Sequence, residues 1–229
     1  MSLLQWIAAA FFKTLTSLMF RVDAEQLAKV PRRGPLIIVA NHVHIPEIPT
    51  LYVRLLPRKV HGMVQAERVL DRNIVGWLLR RAGSIPVWRG EPDLNALRTG
   101  IRVLTEGDIV LLDPEGTRSH NGCLQKGRPG AILMALHSGA PMLPVVHYGS
   151  ENYRENLKYL HRTDLHYVVG QPFRVDAGGL RITSAIRQQM IDEVMFQMAD
   201  LLPPQSRGAY ADMNIATHQY LIFAEEYPG

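Results

Sequence analysis

Six short apolar runs punctuate this chain: Leu36–Ala40 (LIIVA), Val60–Val64, Ser84–Trp88, Ile109–Asp113, Met142–His147 and Tyr167–Val169. Runs this brief and this continuous mark strands buried on both faces, because successive side chains point to opposite sides of a sheet and both sides must then be apolar. Helical patterns separate them, at Ile48–Leu56, Asp71–Ala82, Asp93–Glu106, Pro129–Ser138 and Ser184–Leu202. The last carries Ile186, Met190, Val194, Met195, Met198 and Leu202 at helical period, and Pro203-Pro204 stops it. Gly139 stands where a C-terminal cap belongs. The alternation predicts an α/β domain with a mixed, largely parallel sheet flanked by helices. A length of 229 residues suits one such domain over residues 22–229, its last stretch (207–229) a tail packed on the rest. With 47% hydrophobic and 20% charged residues the chain has the makings of a packed core, which argues against disorder.

Residues 1–21 differ from the rest. Leu3–Phe20 reads LLQWIAAAFFKTLTSLMF, with Lys13 its only charge. No basic segment precedes the apolar run and no small-residue cleavage site follows it, so a signal peptide is not expected. A spanning helix needs about 20 predominantly apolar residues, and Gln5, Lys13, Thr14, Thr16 and Ser17 interrupt this one. A helix lying in the membrane interface, with Trp6, Lys13 and Arg21 at headgroup depth, suits the pattern better; docking onto the domain's own core is the competing reading. The formal charge of +4 favours anionic partners, whether phosphate-bearing substrates or an anionic leaflet. Nucleic acid is not expected, because the bases are scattered and no stacking aromatics accompany them. A single cysteine, Cys123, excludes an intrachain disulfide and fits a reducing compartment. Nothing pairs that thiol with a base, so it reads as a loop residue and not as a nucleophile. Trp77 is expected in the core and Trp88 near the site.

Two segments carry chemistry. Asn41-His42-Val43-His44-Ile45-Pro46-Glu47 leaves the LIIVA strand and enters a helix. His42 and Glu47 stand five positions apart, which on a continuous helix leaves them about 140° apart and on a strand puts them on opposite faces. They meet only where the chain turns between them, and a strand-to-helix junction is such a turn. Pro46 suits a first helical position. A carboxylate there can hold one imidazole N–H and leave the other ring nitrogen as a general base. Taken alone, the pair equally fits a capped helix.

The second segment, Asp113-Pro114-Glu115-Gly116-Thr117-Arg118-Ser119, follows a strand directly. Gly116 permits a left-handed turn. Arg118 then projects from a tight loop beside the Thr117 and Ser119 hydroxyls, and a guanidinium fork with hydroxyl and backbone donors suits a phosphate. A polar turn with a solvated arginine is the plainer reading.

Together these segments resemble the glycerol-phosphate and lysophosphatidic acid acyltransferase family, which pairs Asn-His and an acid five residues on with a Pro-Glu-Gly-Thr-Arg-Ser block. Gly83-Ser84-Ile85-Pro86-Val87-Trp88-Arg89 is similar to the family's second block and Leu143-Pro144-Val145-Val146 to its fourth, in the right order. Lys126-Gly127 falls where a basic residue and a glycine tend to follow the third. The likeness spans Val22–Phe173.

The resemblance implies transfer of a fatty acyl group from a thioester, acyl-CoA or acyl-carrier protein, to the hydroxyl of a lysophospholipid. The acceptor it points to first is 1-acylglycerol 3-phosphate, giving phosphatidic acid. His42 would be the base and Glu47 would orient it. Arg89 and Arg118, with Lys126, would bind the acceptor's phosphate beside Glu115, Gly116 and Thr117. No cofactor or metal is implied. The expected place of work is the cytoplasmic face of the cell membrane, with the chain attached peripherally.

The sequence departs from the pattern in three places. Glu47 stands where glycerolipid members usually carry Asp, Asp113 where an aromatic usually opens the third block, and Gln65-Ala66-Glu67-Arg68 lacks the basic residue that often precedes the second. Two other readings stay open. One is a lipid-binding member of the same fold with weakened catalysis; the other is a metal-dependent hydrolase built on the His42-x-His44 pair and Glu47, with a further ligand from His61, His120, His137 or His147.

Overall fold

The computed structural model describes residues 3–44, 46–88, 90, 93–119 and 121–223, with side chains from residue 10 onward. Arg89 and His120 therefore lie outside the described residues.

The sheet is built around three of the predicted apolar runs. Strand β2 (Leu36–Val39) lies between β5 (Ile109–Leu112) and β6 (Met142–Tyr148), parallel to both. Ile37 and Val39 enter one core layer with Val110, Leu112 and the helices α5 (Leu94–Thr105), α6 (Gly130–Ser138) and α8 (Ser184–Asp200). Leu36 and Ile38 enter the opposite layer with Phe20 and with Leu51 of α2 (Glu47–Arg54). Both faces are covered, which is why the run shows no polar alternation. Gly139 caps α6 at φ +63° as expected.

With β1 (Phe20–Asp23), β3 (Val60–Gln65), β4 (Ile85–Val87) and β7 (Thr163–Val169) the order across the sheet is β1-β7-β6-β2-β5-β3-β4. Strand β8 (Phe173–Val175) pairs with β6, and β9 (Leu221–Phe223) with β8. The pairs β6–β7, β6–β8 and β8–β9 are antiparallel and the others parallel, so the predicted mixed, largely parallel sheet is present. The chain leaves β2 at its carboxyl end, in the middle of the sheet, where open α/β sheets bind their ligands.

Three local expectations need correction. The N-terminal helix α1 (Leu3–Met19) ends before Arg21, and Phe20 starts an edge strand instead. Phe20 is fully buried, and Arg21 faces Asp164 of β7 at 2.6 Å. The helix expected over Asp71–Ala82 is α4 (Ile74–Arg81), which starts later because Asn73 caps it by accepting from the Gly76 N–H at 2.9 Å, and a short helix that was not expected, α3 (Ala66–Leu70), precedes it. Trp77 is exposed and not in the core: Gly76 faces inward, and the next residue is rotated about 100° away from it. The described part of the tail, residues 207–223, packs on the domain. Buried Glu193 of α8 accepts from Thr217 Oγ1 (2.6 Å), Gln219 N (3.0 Å) and Tyr220 N (2.9 Å).

Candidate active site

The site forms where the chain departs from β2. The Asn41 amide takes the place of the next ladder residue, donating to the His147 carbonyl at 2.8 Å and accepting from the His147 N–H at 2.9 Å. This keeps β2 and β6 in register while the backbone turns outward, so His42 leaves the sheet at a defined angle.

The two predicted segments are locked to each other through that turn. Ser119 N–H donates to the His42 carbonyl at 2.8 Å, and the His42 backbone lies near enough to the buried Glu115 carboxyl to oppose the rise of its pKa. Glu115 Oε2 also accepts from Gln125 N at 2.8 Å. Asp113 shapes the loop's start: its Oδ1 accepts from Glu115 N at 2.9 Å and its carbonyl from Gly116 N at 3.1 Å. Gly116 sits at φ +70°, the left-handed turn its sequence position suggested, and a Cβ there would meet Arg128 Cδ at 3.0 Å.

The His42 ring is half-buried, and its Nδ1 is buried without a hydrogen-bond partner among the described residues. Burial is the main reason its pKa falls to about 4, helped by the neighbouring charges of His147, Arg118, Arg68 and His44. The imidazole is therefore neutral at pH 7, the form a general base needs.

Glu47 is placed differently from the sequence expectation. Its side chain is fully buried, and Oε2 accepts from His44 N at 2.6 Å and from Val43 N at 3.2 Å. Oε1 accepts from the Ser150 hydroxyl, and Oε2 lies 3.4 Å from His147 Nε2. The carboxylate thus holds the backbone that carries His42, and makes no hydrogen bond to the His42 ring. Tyr167 fixes the start of α2 by donating its hydroxyl to the Glu47 carbonyl at 2.8 Å.

Arg118 is half-buried and makes no ion pair among the described residues. Its charge reaches His42, which places it at the site. Thr117 is half-buried beside it. Lys126 is exposed, and the glycine after it is required by packing: a Cβ on Gly127 would come within 2.7 Å of Met195 Cγ and 3.0 Å of Ile191 Cγ1. His44 turns away from a metal-like arrangement, its Nε2 lying 3.3 Å from the Glu151 carbonyl. Among the described residues no three His, Cys, Asp or Glu side chains converge as metal ligands.

The family model for acyltransferases matches residues 21–148, more than half of the chain, including His42, Glu47 and the Arg118 loop. The chain belongs to the acyltransferase family. Among its relatives is the 1-acyl-sn-glycerol-3-phosphate acyltransferase of Bacillus subtilis, 28% identical over 160 residues that span 70% of this chain and 77% of that protein. The Pseudomonas aeruginosa protein of the same name is 23% identical over 215 residues, 93% of this chain and 82% of its own. Among solved structures, the 1-acyl-sn-glycerophosphate acyltransferase PlsC from Thermotoga maritima superposes with a TM-score of 0.62 at 22% identity, covering 84% of this chain and 76% of that one. That likeness bears on the fold.

The acyltransferase holds its site together with residues the sequence did not single out for this purpose. His147 is fully buried, and its Nε2 lies 2.7 Å from the Asn41 carbonyl. Both oxygens near Nε2 are acceptors, which puts the proton on that nitrogen. Ser150 and Tyr167 complete the shell. The one signal available in the sequence was a histidine inside an apolar strand, and burial there demands a polar partner.

Glu115 gives a pH-dependent prediction. Burial raises its pKa from 4.5 to about 7, against the lowering effect of its bonds from Gln125 and His42. The folded state therefore binds the extra proton between those values, and the stability it contributes is full below pH 4.5 and lost as pH rises through 7. Glu115→Gln removes this titration. The variant is expected to gain up to about 3 kcal/mol on the wild type between pH 4.5 and 8, read from urea unfolding at both pH values. His42 titrates with the opposite sign but is present in both proteins, so it cancels in the comparison.

Proposed function

We propose that this acyltransferase moves a fatty acyl group from a thioester, acyl-CoA or acyl-carrier protein, to the free hydroxyl of 1-acylglycerol 3-phosphate, with His42 as general base. The observation that carries this reading is a neutral imidazole at the carboxyl end of the central strand, its carbonyl bonded to the Ser119 N–H of the loop that bears Arg118. The hydroxyl oxygen attacks the thioester carbonyl as its proton passes to His42. Collapse of the tetrahedral adduct breaks the C–S bond, and the thiolate recovers the proton from the imidazolium. A thiol of pKa near 8.5 leaves readily, so positioning and deprotonating the alcohol is the task left to the protein.

Arg118 is proposed to hold the acceptor's phosphate, with the Thr117 hydroxyl beside it; Arg89 and Lys126 are proposed as further bases. A bound phosphate dianion also offsets the positive charges that depress the His42 pKa, which makes the imidazole a stronger base once acceptor is in place. Helix α1 exposes Phe11, Leu15 and Leu18 on one side, and no helix among the described residues is long and apolar enough to cross a membrane. The proposed attachment is peripheral, with α1 lying in the interface.

The test is acyl transfer by purified protein in mixed micelles, with lysophosphatidic acid as acceptor and each thioester donor in turn. Phosphatidic acid is the expected product; turnover with a different lysolipid alone overturns the acceptor assignment. Arg118→Ala is expected to raise the acceptor KM by at least about 10-fold, in line with loss of a charge-assisted contact, and to leave the donor KM within about 2-fold. Equal effects on both substrates would remove the phosphate from Arg118.

A further inference from the structure

Helices α3 and α4 form a hairpin that presents large apolar side chains to solvent: Leu70 is 55% exposed, Ile74 69%, Val75 51% and Trp77 47%. Fluctuation does not account for this exposure, because the hairpin is braced from inside. Arg80 Nη1 donates to the carbonyls of Val69 (2.5 Å) and Asp71 (2.8 Å), and the Asn73 amide donates to the Asp71 carboxylate at 2.7 Å. Gly76 packs so closely on the intervening turn that a Cβ would stand 2.1 Å from the Asp71 carbonyl oxygen. Four large side chains on one braced hairpin, with nothing among the described residues covering them, mark an interaction surface.

The surrounding charge identifies the partner. Residues 67–81 carry four arginines (68, 72, 80 and 81) against two carboxylates, and one of those, Asp71, is engaged in the turn. Arginines around a tryptophan and branched aliphatic side chains match the boundary between the headgroups and acyl chains of an anionic bilayer. The hairpin also adjoins the site: α3 follows β3 directly, and β3 and β2 both run parallel to β5, so the hairpin leaves the sheet at the same carboxyl end as His42, on which the charge of Arg68 acts. A leaflet seated here meets the protein at the place where a lipid acceptor must enter.

We infer that the α3–α4 hairpin is a membrane-docking surface for anionic phospholipid, distinct from α1, with Ile74, Val75 and Trp77 entering the leaflet beside the acceptor's entrance. The role of entrance rests on the proposed lysophospholipid acceptor; the docking itself does not.

The test uses the full chain and vesicles of phosphatidylcholine containing phosphatidylglycerol. The double variant Ile74→Gln/Trp77→Gln is expected to lower the vesicle partition coefficient at least 10-fold, with an unchanged melting temperature. Brominated lipid should quench Trp77 fluorescence in a Trp6→Phe/Trp88→Phe background. Arg72→Gln/Arg81→Gln should flatten the dependence of binding on phosphatidylglycerol content. Unchanged partitioning of the Ile74/Trp77 variant, or a dimer that this variant dissociates, would overturn the inference; the second outcome would make the face a contact between copies. Acyl transfer in detergent micelles is scored separately. Its absence would count against the proposed acceptor while leaving the vesicle result to decide the docking surface.

Discussion

His42→Ala is expected to lower kcat for acyl transfer by about 10²–10⁴-fold, the usual worth of a positioned general base, while the protein stays folded. The two effects separate because the ring makes no hydrogen bond through Nδ1 that truncation could break. The turn's backbone bond from Ser119 does not involve the side chain at all. The variant should also differ from the wild type in acid. The His42 pKa is depressed from 6.5 to about 4 in the folded protein, so the unfolded chain binds the extra proton in that window and the wild type loses stability as pH falls through it. Alanine removes this term, and urea unfolding at pH 7 and pH 4.5 should show a smaller acid loss in the variant. A variant that keeps wild-type kcat would sink the base assignment; one that fails to fold would show that the ring holds the turn.

The parts of the fold that were legible in the sequence are those where a single physical demand governs each residue. Strand β2 reads as LIIV because both faces are buried, and α8 reads as a helix because its apolar residues keep one period. The edge strand β1 was hidden: Phe-Arg-Val-Asp buries Phe20 and leaves the charged Arg21 and Asp23 exposed, so four residues cannot outweigh the apolar run before them. Helix α3, with five residues, is shorter than two turns and carries no period to detect. Trp77 illustrates a different limit, since apolar character shows that a side chain wants cover without showing whether the cover is its own core or a partner.

The site was legible to the same degree. Spacing shows that His42 and Glu47 can approach each other across a turn. It does not show whether the carboxylate will prefer an imidazole or the backbone N–H groups of the turn itself, since both lie within reach and both gain from a buried anion. The two blocks were recognisable as chemistry-bearing; the bond between them, from the Ser119 N–H to the His42 carbonyl, involves main-chain atoms that every residue possesses, and so leaves no mark in the sequence.

Glu47→Ala is expected to cost both stability and turnover, which distinguishes it from His42→Ala. Removing the carboxylate leaves the N–H groups of Val43 and His44 and the Ser150 hydroxyl without their acceptor, and Val43 and Ser150 are buried. A buried polar group left unpaired costs about 1–3 kcal/mol, so the three together should cost on the order of 3–5 kcal/mol. In a protein of this size that corresponds to a melting temperature lower by roughly 10 °C. Turnover should fall as well, because the released segment carries His42 and a misplacement of about 1 Å is enough for a 10²-fold loss. Glu47→Gln keeps the shape and one carbonyl acceptor, so it should recover most of the stability. Glu47→Asp, one methylene shorter, cannot reach both the backbone N–H groups and Ser150, and should fall between alanine and the wild type in melting temperature. Thermal unfolding and kcat measured on all three variants decide the role: stability and rate falling together assign Glu47 to the turn. A Glu47→Ala protein as stable as the wild type, with the kcat of His42→Ala, would instead assign the carboxylate to the imidazole.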